Sequence, residues 1–350
     1  MNEPAIISTE DLTTLAANAD RADAEMMWPA RSWDQLRRPG ILTWSIPAEF
    51  GGSGRSQFEC LTGYEQLAGA CMTTAFLLSQ REAAVRRVVA CKNETLRRRL
   101  LPRLAQGEIF ATVGLSQLTT SRQHAGPALT ARRQRHGWTL RGVMPWVTGA
   151  EHADFLVTGA VLEDAKKVLL VVPRETPGLV VQPALDLMAL RGSLTAEVVC
   201  DDAPVSDEWL LDVPIEGAIA GGRGGAGGLE TSCLALGLAG AAIAFLENEA
   251  AARTDLKNTW EKLAATRDRL RGVLHSMCGA PSSAAAAAEL RAGANRLVLG
   301  ATQAALTAAK GTAFLRSHPA QRWARQAVFF LVWSCPRPAA EATLAHLASE

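Results

Sequence analysis

Near the middle of the chain, residues 142–150 read GVMPWVTGA, and the interpretation of the whole sequence starts from this stretch. Side chains two apart in an extended segment project from the same face of a strand, so Trp146 and Thr148 face the same way. A planar redox ring needs a flat surface on which to stack and a hydrogen bond at its edge. The pair therefore predicts a wall for a flat, redox-active ring.

The composition predicts an ordinary globular protein. Of 350 residues, 48% are hydrophobic and 20% are charged, and the net charge of +1 gives no electrostatic footprint for nucleic acid or an anionic membrane. The seven cysteines lack C-x-x-C spacing, which argues against a disulfide framework or a zinc site. No apolar run reaches the roughly 18 residues of a membrane span, and the polar N-terminus does not resemble a signal peptide. We expect a cytoplasmic protein that has no metal, no membrane span and no nucleic-acid partner.

Three zones follow from the hydrophobic periodicity. Residues 1–109 predict an N-terminal helical domain, and short β-branched runs between turn residues predict a central β domain over residues 110–212. Residues 213–228 are predicted to be a glycine-rich connector. Residues 229–350 predict a helical bundle. Its four expected helices are Leu229–Arg253, Thr259–Met277, Ser282–Lys310 and Ala320–Trp333.

Several segments, in the same order, resemble motifs of the acyl-CoA dehydrogenase family. Residues 142–150 resemble its G-x-K-x-W-I-T-N segment, with Met144 in place of the Lys. Three other segments are similar to P-x-E-x-G-G-x-G, L-P-x-L-A-x-G-E and G-x-R-G-S-x-T-x-E-L, and they are Ile46–Gly54, Leu101–Glu108 and Leu190–Val198. The resemblance implies an α+β multidomain fold that has an N-terminal helical domain, a central β-barrel-like domain and a C-terminal four-helix bundle.

The resemblance implies an FAD cofactor, with Trp146 and Thr148 receiving its isoalloxazine ring. In the family, a T-E-P-x-A-G-S-D segment contacts the pyrimidine edge of the flavin. That segment falls on residues 113–120, where the acidic residue is absent and Ser116, Thr119 and Thr120 supply the hydroxyl donors. We therefore expect Ser116 and Thr119 to bind the cofactor.

The diphosphate and adenosine half of FAD is expected at Arg253 and Lys310. Arg253 stands where the family carries an Arg that contacts the pyrophosphate. The family's Q-x-x-G-G-x-G-Y segment, which holds the adenosine half across a subunit interface, corresponds to residues 307–314. There Lys310 replaces a glycine, so the backbone cannot come as close to the pyrophosphate. The positive charge of Lys310 offers compensation for this loss. The resemblance implies a homodimer or a homotetramer.

The family's catalytic base is a Glu in one of two positions. The commoner position falls on Ser334, which cannot act as this base unaided. The second falls on Glu230, which is followed by Thr231 where the family has an Arg. Glu230 is therefore the candidate base, and a dry site would raise its pKa. A structural role as a first-turn acid, favoured by the helix dipole, is an equally open interpretation.

Three functions remain open from the sequence. The first is α,β-dehydrogenation of an acyl-CoA thioester by a Glu base and hydride transfer to flavin N5, with electron-transfer flavoprotein or oxygen as the acceptor. The second is a flavin-dependent monooxygenase or oxidase, because residues 317–325 resemble the P-x-x-R-x-x-R-D signature of that branch. The third is a degenerate, non-catalytic family member that acts as a partner subunit, because several cofactor-contacting positions have changed.

Overall fold

The computed structural model describes residues 6–38, 40–119, 126–215, 229–279, 283–335 and 337–348. Helices come first, strands follow and helices return, which confirms the predicted order. The α-helices are α1 (Thr9–Ala17), α2 (Ala19–Ala24), α3 (Ala30–Arg37), α4 (Gln57–Ala70), α5 (Met72–Ala90), α6 (Glu94–Gln106), α7 (Ser116–Thr119), α8 (Leu229–Ala252), α9 (Lys257–Ser276), α10 (Ala284–Ala309), α11 (Pro319–Ala327) and α12 (Arg337–Leu347). The strands are β1 (Ala111–Gly114), β2 (Leu129–Gln134), β3 (Gly137–Val147), β4 (Phe155–Val161), β5 (Lys167–Pro173), β6 (Leu179–Val181), β7 (Ala196–Ser206) and β8 (Leu210–Ile215).

The N-terminal helices hold α5 in the interior. Ser56 and Glu59 form a capping box that starts α4, because each side chain binds the other's backbone N–H. The extended backbone of Cys71 separates α4 from α5. Along α5, thirteen side chains are buried, and Arg81 is among them. The guanidinium of Arg81 ties α5 to neighbouring segments because it donates to the carbonyl oxygens of Leu42 and Leu104.

The central strands form one mixed sheet in the order β6-β7-β3-β2-β4-β5-β8, with β1 paired to β4. Strand β3 lies between β7 and β2 and pairs antiparallel with both. Its register with β7 shifts between Met144 and Val147, so the regular ladder breaks beside Trp146. The sheet therefore presents the end of β3 as an irregular edge rather than a flat ladder.

The C-terminal helices pack around α8, which contacts α4, α9 and α10. By length and composition α8 is apolar enough to cross a membrane, but 72% of its most apolar window is buried inside the protein. That burial is typical of the core helix of a bundle. The predicted connector at residues 213–228 lies outside the described residues from 216 onward, and β8 extends to Ile215.

The last predicted bundle helix is shorter than expected. The apolar run to Trp333 predicted a helix over Ala320–Trp333, whereas α11 ends at Ala327 and a 3₁₀ turn continues over Val328–Leu331. The buried guanidinium of Arg291 on α10 gives the physical reason, since it donates to the carbonyl oxygens of Phe330 and Trp333 at 2.9 Å each. A tertiary contact therefore replaces continued helix in this segment.

Candidate functional site

A pocket of about 770 Å³ lies where the three zones meet. One wall comes from α5, a second from the strands and the loop at residues 187–190, and a third from the start of α8 and the segment after α11. Its volume is within the range of sites for small organic ligands, roughly 300–1,000 Å³. Trp146, Thr148, Ser116 and Glu230, four of the residues singled out from the sequence, line this pocket.

The end of β3 supplies the flat surface expected from the sequence. The indole of Trp146 is 49% exposed and lines the pocket, whereas Met144, two residues earlier, is fully buried. Met144 packs under the sheet, where its sulfur would lie 2.6 Å from a β-carbon placed on Gly114. A charged Lys at this buried position would be costly, so Met suits the site.

Hydrogen bonds hold Thr148 rigidly at the pocket. Its carbonyl oxygen accepts from Thr112 Oγ1 at 2.8 Å, and its hydroxyl oxygen accepts from Thr195 Oγ1 at 3.3 Å. The Thr195 hydroxyl lies 2.9 Å from Ser193 Oγ, and the N–H of Gly149 donates to the Ser193 carbonyl at 2.8 Å. The turn at residues 191–195 is therefore hydrogen-bonded to the end of β3 and holds it in place. A surface that binds a rigid, planar ligand needs such a fixed position.

Of the three hydroxyl residues expected over residues 116–120, the structure describes the side chain of Ser116 alone. Ser116 begins α7 and lines the pocket beside Val113 and Leu115. Thr119 ends α7, and its side chain lies outside the described residues, as does Thr120. A half-exposed indole, apolar neighbours and a hydroxyl on one wall fit a planar isoalloxazine ring, which needs stacking and an edge hydrogen bond.

Glu230 occupies the first turn of α8 and faces an arginine. Its Oε1 lies 3.4 Å from Nη2 of Arg86 on α5, and the two side chains are 17% and 23% exposed. Burial lowers the pKa of the Arg86 guanidinium, but the charges of Glu230 and Tyr64 outweigh burial and the net shift is upward. Arg86 is therefore a permanent cation that faces the Glu230 carboxylate across the pocket wall.

Arg87 stands next to Arg86 in the pocket wall and was missed in the sequence. Burial, aided by the positive charge of Arg86, lowers the pKa of Arg87 to about 10. Two successive arginines inside an apolar helix, between Val85 and Val88, are the signal that could have identified this wall. They look like the surface arginines of α6, and burial alone distinguishes the two groups.

Aromatic rings fill the other end of the pocket. Trp333 stacks on Phe329 with ring centroids 5.2 Å apart and an interplanar angle of 9°, and Phe76 of α5 meets both rings edge-on. Ser334, which follows Trp333, also lines the pocket and has a left-handed backbone with φ of 45°. The two family positions for the base, Glu230 and Ser334, thus line one pocket, and only Glu230 carries a carboxylate.

Asp23 joins all three zones behind the pocket. This buried carboxylate lies 2.7 Å from Nη1 of Arg325, which lines the pocket. Its other oxygen accepts from the N–H of Leu190 and from Gln326 Nε2, each at 2.8 Å. No local pattern marks Asp23 in the sequence, because an Asp in a short polar helix looks solvent-exposed until its partners are known.

The two residues expected at the diphosphate lie apart from the pocket. Arg253 follows α8, separated from Glu230 by almost the whole helix, or roughly 35 Å at 1.5 Å per residue. Its Nη1 donates to the carbonyl of Ala308 at 2.7 Å, so Arg253 sits beside the end of α10, where Lys310 follows. Within one chain, the structure brings Arg253 and Lys310 together but does not bring them to Trp146.

We expect Lys310→Gly to increase the free energy of unfolding by about 1 kcal/mol, because relief of left-handed strain exceeds the entropy lost with glycine. Lys310 has φ of 54° and ψ of −140°, a conformation that favours glycine, and the family motif has glycine there. Denaturant unfolding monitored by circular dichroism measures the change. Lys310→Ala is the control, since alanine retains the β-carbon and should give no gain. An equal gain in both variants would contradict the strain.

Among the residues that the structure describes, no group of three or more His, Cys, Asp or Glu side chains is placed to hold a metal ion.

Comparison with known proteins places these features in one family. The model of the acyl-CoA dehydrogenase N-terminal domain matches residues 10–108, and that of the acyl-CoA dehydrogenase middle domain matches residues 113–203. A protein of Bacillus subtilis (strain 168) named "Probable acyl-CoA dehydrogenase YngJ" is 26% identical over 241 residues, which cover 65% of this chain and 62% of the relative. The matched segments span between half and two thirds of the first curated relatives' length.

Solved structures share the fold over nearly the whole chain. Butyryl-CoA dehydrogenase from Megasphaera elsdenii superposes with a TM-score of 0.82 at 18% identity and with full coverage of both chains. KijD3 in complex with FMN and a dTDP-amino-keto sugar superposes with a TM-score of 0.78 at 20% identity, covering 97% of this chain and 91% of KijD3. At these identities the likeness establishes the fold alone.

Proposed function

Because this chain belongs to the acyl-CoA dehydrogenase family, we propose that it is an FAD-dependent oxidoreductase that introduces an α,β double bond into an acyl thioester. The observation that carries the proposal is the meeting of Glu230 and the Trp146–Thr148 wall in one pocket. A carboxylate and a flavin-binding surface are the two groups that the reaction requires. Fold alone would not support it, since the same fold hosts several chemistries.

Glu230 is the base in this mechanism. One of its carboxylate oxygens accepts the α-proton of the acyl group. Trp146 and Thr148 would hold FAD, and the flavin would supply the acceptor for the hydride that leaves the β-carbon. Arg86, whose Nη2 lies 3.4 Å from Glu230 Oε1, fixes the position of the carboxylate. The proton transfer depends on close alignment of this carboxylate with the α-carbon in a partly buried pocket.

Trp146 and Thr148 position the cofactor. The indole face of Trp146 would support the flavin ring, and the hydrogen-bonded end of β3 would present Thr148 to it. The aromatic cluster of Phe76, Phe329 and Trp333 excludes water from the apolar end of the pocket. Arg253 and Lys310, which lie apart from the pocket of their own chain, would hold the diphosphate end of an FAD bound to a neighbouring subunit, so the proposal includes a homodimer or homotetramer.

Purified protein tests the proposal. We expect a yellow preparation whose flavin absorption is bleached by a short acyl-CoA in the absence of oxygen. Addition of electron-transfer flavoprotein or oxygen should then restore the absorption, because either one accepts the electrons of the reduced flavin. Failure of every acyl-CoA tested to bleach a bound flavin would contradict the dehydrogenase. A preparation that binds no flavin would favour the non-catalytic partner subunit. A cytoplasmic location stays a prediction.

A flavin-dependent monooxygenase or oxidase is the second candidate, and two observations favour it. Ser334 stands at the commoner base position, and Arg325, the last arginine of the segment at residues 317–325, lines the pocket. A bound flavin that needs no thioester for reduction, but consumes oxygen with another substrate, would support this function over the first.

A further inference from the structure

A second cavity lies at the opposite end of β3 from the Trp146 wall. Its volume is about 480 Å³, which is within the range of sites for small organic ligands, roughly 300–1,000 Å³. Among the residues that the structure describes, it shares no lining residue with the first pocket. Trp138 lines it near the start of β3, and Trp146 follows eight residues later, roughly 26 Å away at 3.3 Å per residue. The two cavities are therefore separate sites.

The hairpin turn between β2 and β3 forms one side of this cavity, and the end of β7 forms another. Gln134 and Gly137 are paired at the two ends of the turn. A β-carbon on Gly137, whose φ is 150°, would lie 2.3 Å from the carbonyl oxygen of Val205, so glycine lets the turn pack closely on β7. Trp138 follows directly and is the register partner of Val205. The backbone therefore fixes Trp138 in the wall of the cavity.

The indole N–H of Trp138 lacks an acceptor. The side chain is 6% exposed, and its Nε1 is buried without a hydrogen-bond partner in the part of the chain that the structure describes. The guanidinium carbon of Arg133 lies over the face of the ring, 4.8 Å from its centroid, whereas the N–H lies in the ring plane at the edge. A buried donor without an acceptor is costly, and buried indole N–H groups usually have a partner. A ligand in the cavity that Trp138 lines would supply the missing acceptor.

Basic side chains line the exposed side of the cavity. Arg135 and His136 form the tip of the hairpin turn, and no carboxylate is among the described lining residues. Asp207, which follows Ser206 of the lining, is bound by Arg133, whose Nη2 lies 3.0 Å from its Oδ2. The charge of that carboxylate is therefore already balanced. A basic lining without a carboxylate favours an anionic ligand.

We propose that this cavity binds a phosphoryl group, which accepts hydrogen bonds from the indole N–H of Trp138, the guanidinium of Arg135 and the imidazole of His136. Three separate donors suit the tetrahedral oxygens of a phosphoryl group, whereas a planar carboxylate is matched by one bidentate guanidinium. Arginine is also well suited to phosphate recognition. The ligand class is inorganic phosphate or a small phosphate monoester. This site goes beyond the proposed function and does not rest on it.

Nuclear magnetic resonance of the indole N–H groups tests the proposal on the full chain. The protein, labelled with ¹⁵N at its nine tryptophans, is titrated with inorganic phosphate and with glycerol 3-phosphate while sodium chloride keeps the ionic strength constant. The signal of Trp138 is the one that Trp138→Phe removes. We expect phosphate to move this signal downfield, because the N–H gains a hydrogen bond, with a dissociation constant on the order of 1 mM. Tighter binding of glycerol 3-phosphate would identify the ligand as a monoester, and tighter binding of phosphate would identify it as the free ion.

Two matched variants locate the site. Arg135→Gln should weaken phosphate binding roughly tenfold, because it removes a charged hydrogen bond. Arg132→Gln removes the same charge from an exposed position on β2 that does not line the cavity, and it should leave the affinity unchanged. Equal weakening by both variants would show general attraction to a basic surface and would overturn the proposal. Should Trp138→Phe fail to fold, the wild-type titration still decides, since one of the nine indole signals must move.

Three other outcomes would overturn the inference. The first is that no indole signal moves up to about 50 mM phosphate, well above the expected dissociation constant. The second is an equal shift with succinate, which would show that the site does not distinguish a phosphoryl group from a carboxylate. The third is a shift with coenzyme A but not with phosphate, which would assign the cavity to the carrier of the substrate. Flavin bleaching by a thioester is expected at the wild-type rate in Arg135→Gln, so rejection of this site leaves the proposed function in place.

Discussion

Glu230→Gln is expected to slow bleaching of the bound flavin by an acyl thioester about 10²- to 10⁴-fold, the usual contribution of a positioned general base. The amide keeps the shape of the side chain but cannot accept the α-proton. Rapid-mixing absorption at the flavin wavelengths, without oxygen and at saturating thioester, measures the rate. The exposed Glu247→Gln on the same helix is the matched control, and its rate should equal that of the wild type.

A structural role for Glu230 gives a different pattern. If Glu230 only balanced the charge of Arg86, Glu230→Gln would change thioester affinity or stability and leave the bleaching rate at saturation unchanged. Bleaching by Glu230→Gln as fast as by the wild type would reject the base assignment. The comparison of rate with affinity therefore decides between the two interpretations that the sequence left open.

Arg291→Met should lower the free energy of unfolding by about 3 kcal/mol or more, since each buried carbonyl left without a donor costs about 1–3 kcal/mol. Arg291 is fully buried, and its guanidinium donates to Asn295 Oδ1 and to two carbonyl oxygens after α11. Burial lowers the pKa of Arg291 to about 10, so the group remains charged near neutral pH. Denaturant unfolding gives the free energy.

The same substitution should disturb the pocket, because the carbonyls that Arg291 binds belong to Phe330 and Trp333 beside the aromatic cluster. We expect slower flavin bleaching by Arg291→Met even under conditions where the protein is folded. Arg296→Met, an exposed arginine on the same helix, should change neither quantity. A stability within 0.5 kcal/mol of the wild type, about the usual effect of a surface substitution, would show that Arg291 does not hold this segment.

Local patterns were enough to predict much of the architecture and part of the site. The period of the apolar residues predicted α8, α9 and α10 to within a few residues at most ends, because their buried faces repeat regularly. Trp146 and Thr148 were found because a strand end with an aromatic and a hydroxyl is a local feature. Glu230 was singled out through motif register, and it lines the same pocket as Trp146; its role as the base stays a prediction.

Tertiary contacts explain what the sequence did not reveal. The end of α11 depends on Arg291, which lies about forty residues earlier, and no local signal marks that partner. Asp23 meets Arg325 and Leu190 from distant parts of the chain. Arg86 and Arg87 resemble solvated surface arginines until α5 is known to be buried. In each case the chemistry depends on a neighbour that only folding supplies.

Binding of FAD by the Trp146 wall is the central claim, and a direct titration of flavin-free protein with FAD tests it. We expect one FAD per chain, with Trp146→Ala weakening the affinity at least about tenfold, because stacking and apolar burial on the indole exceed 1.4 kcal/mol. Binding that is unchanged in Trp146→Ala would place the flavin elsewhere. A protein that takes up no flavin at all would contradict the account.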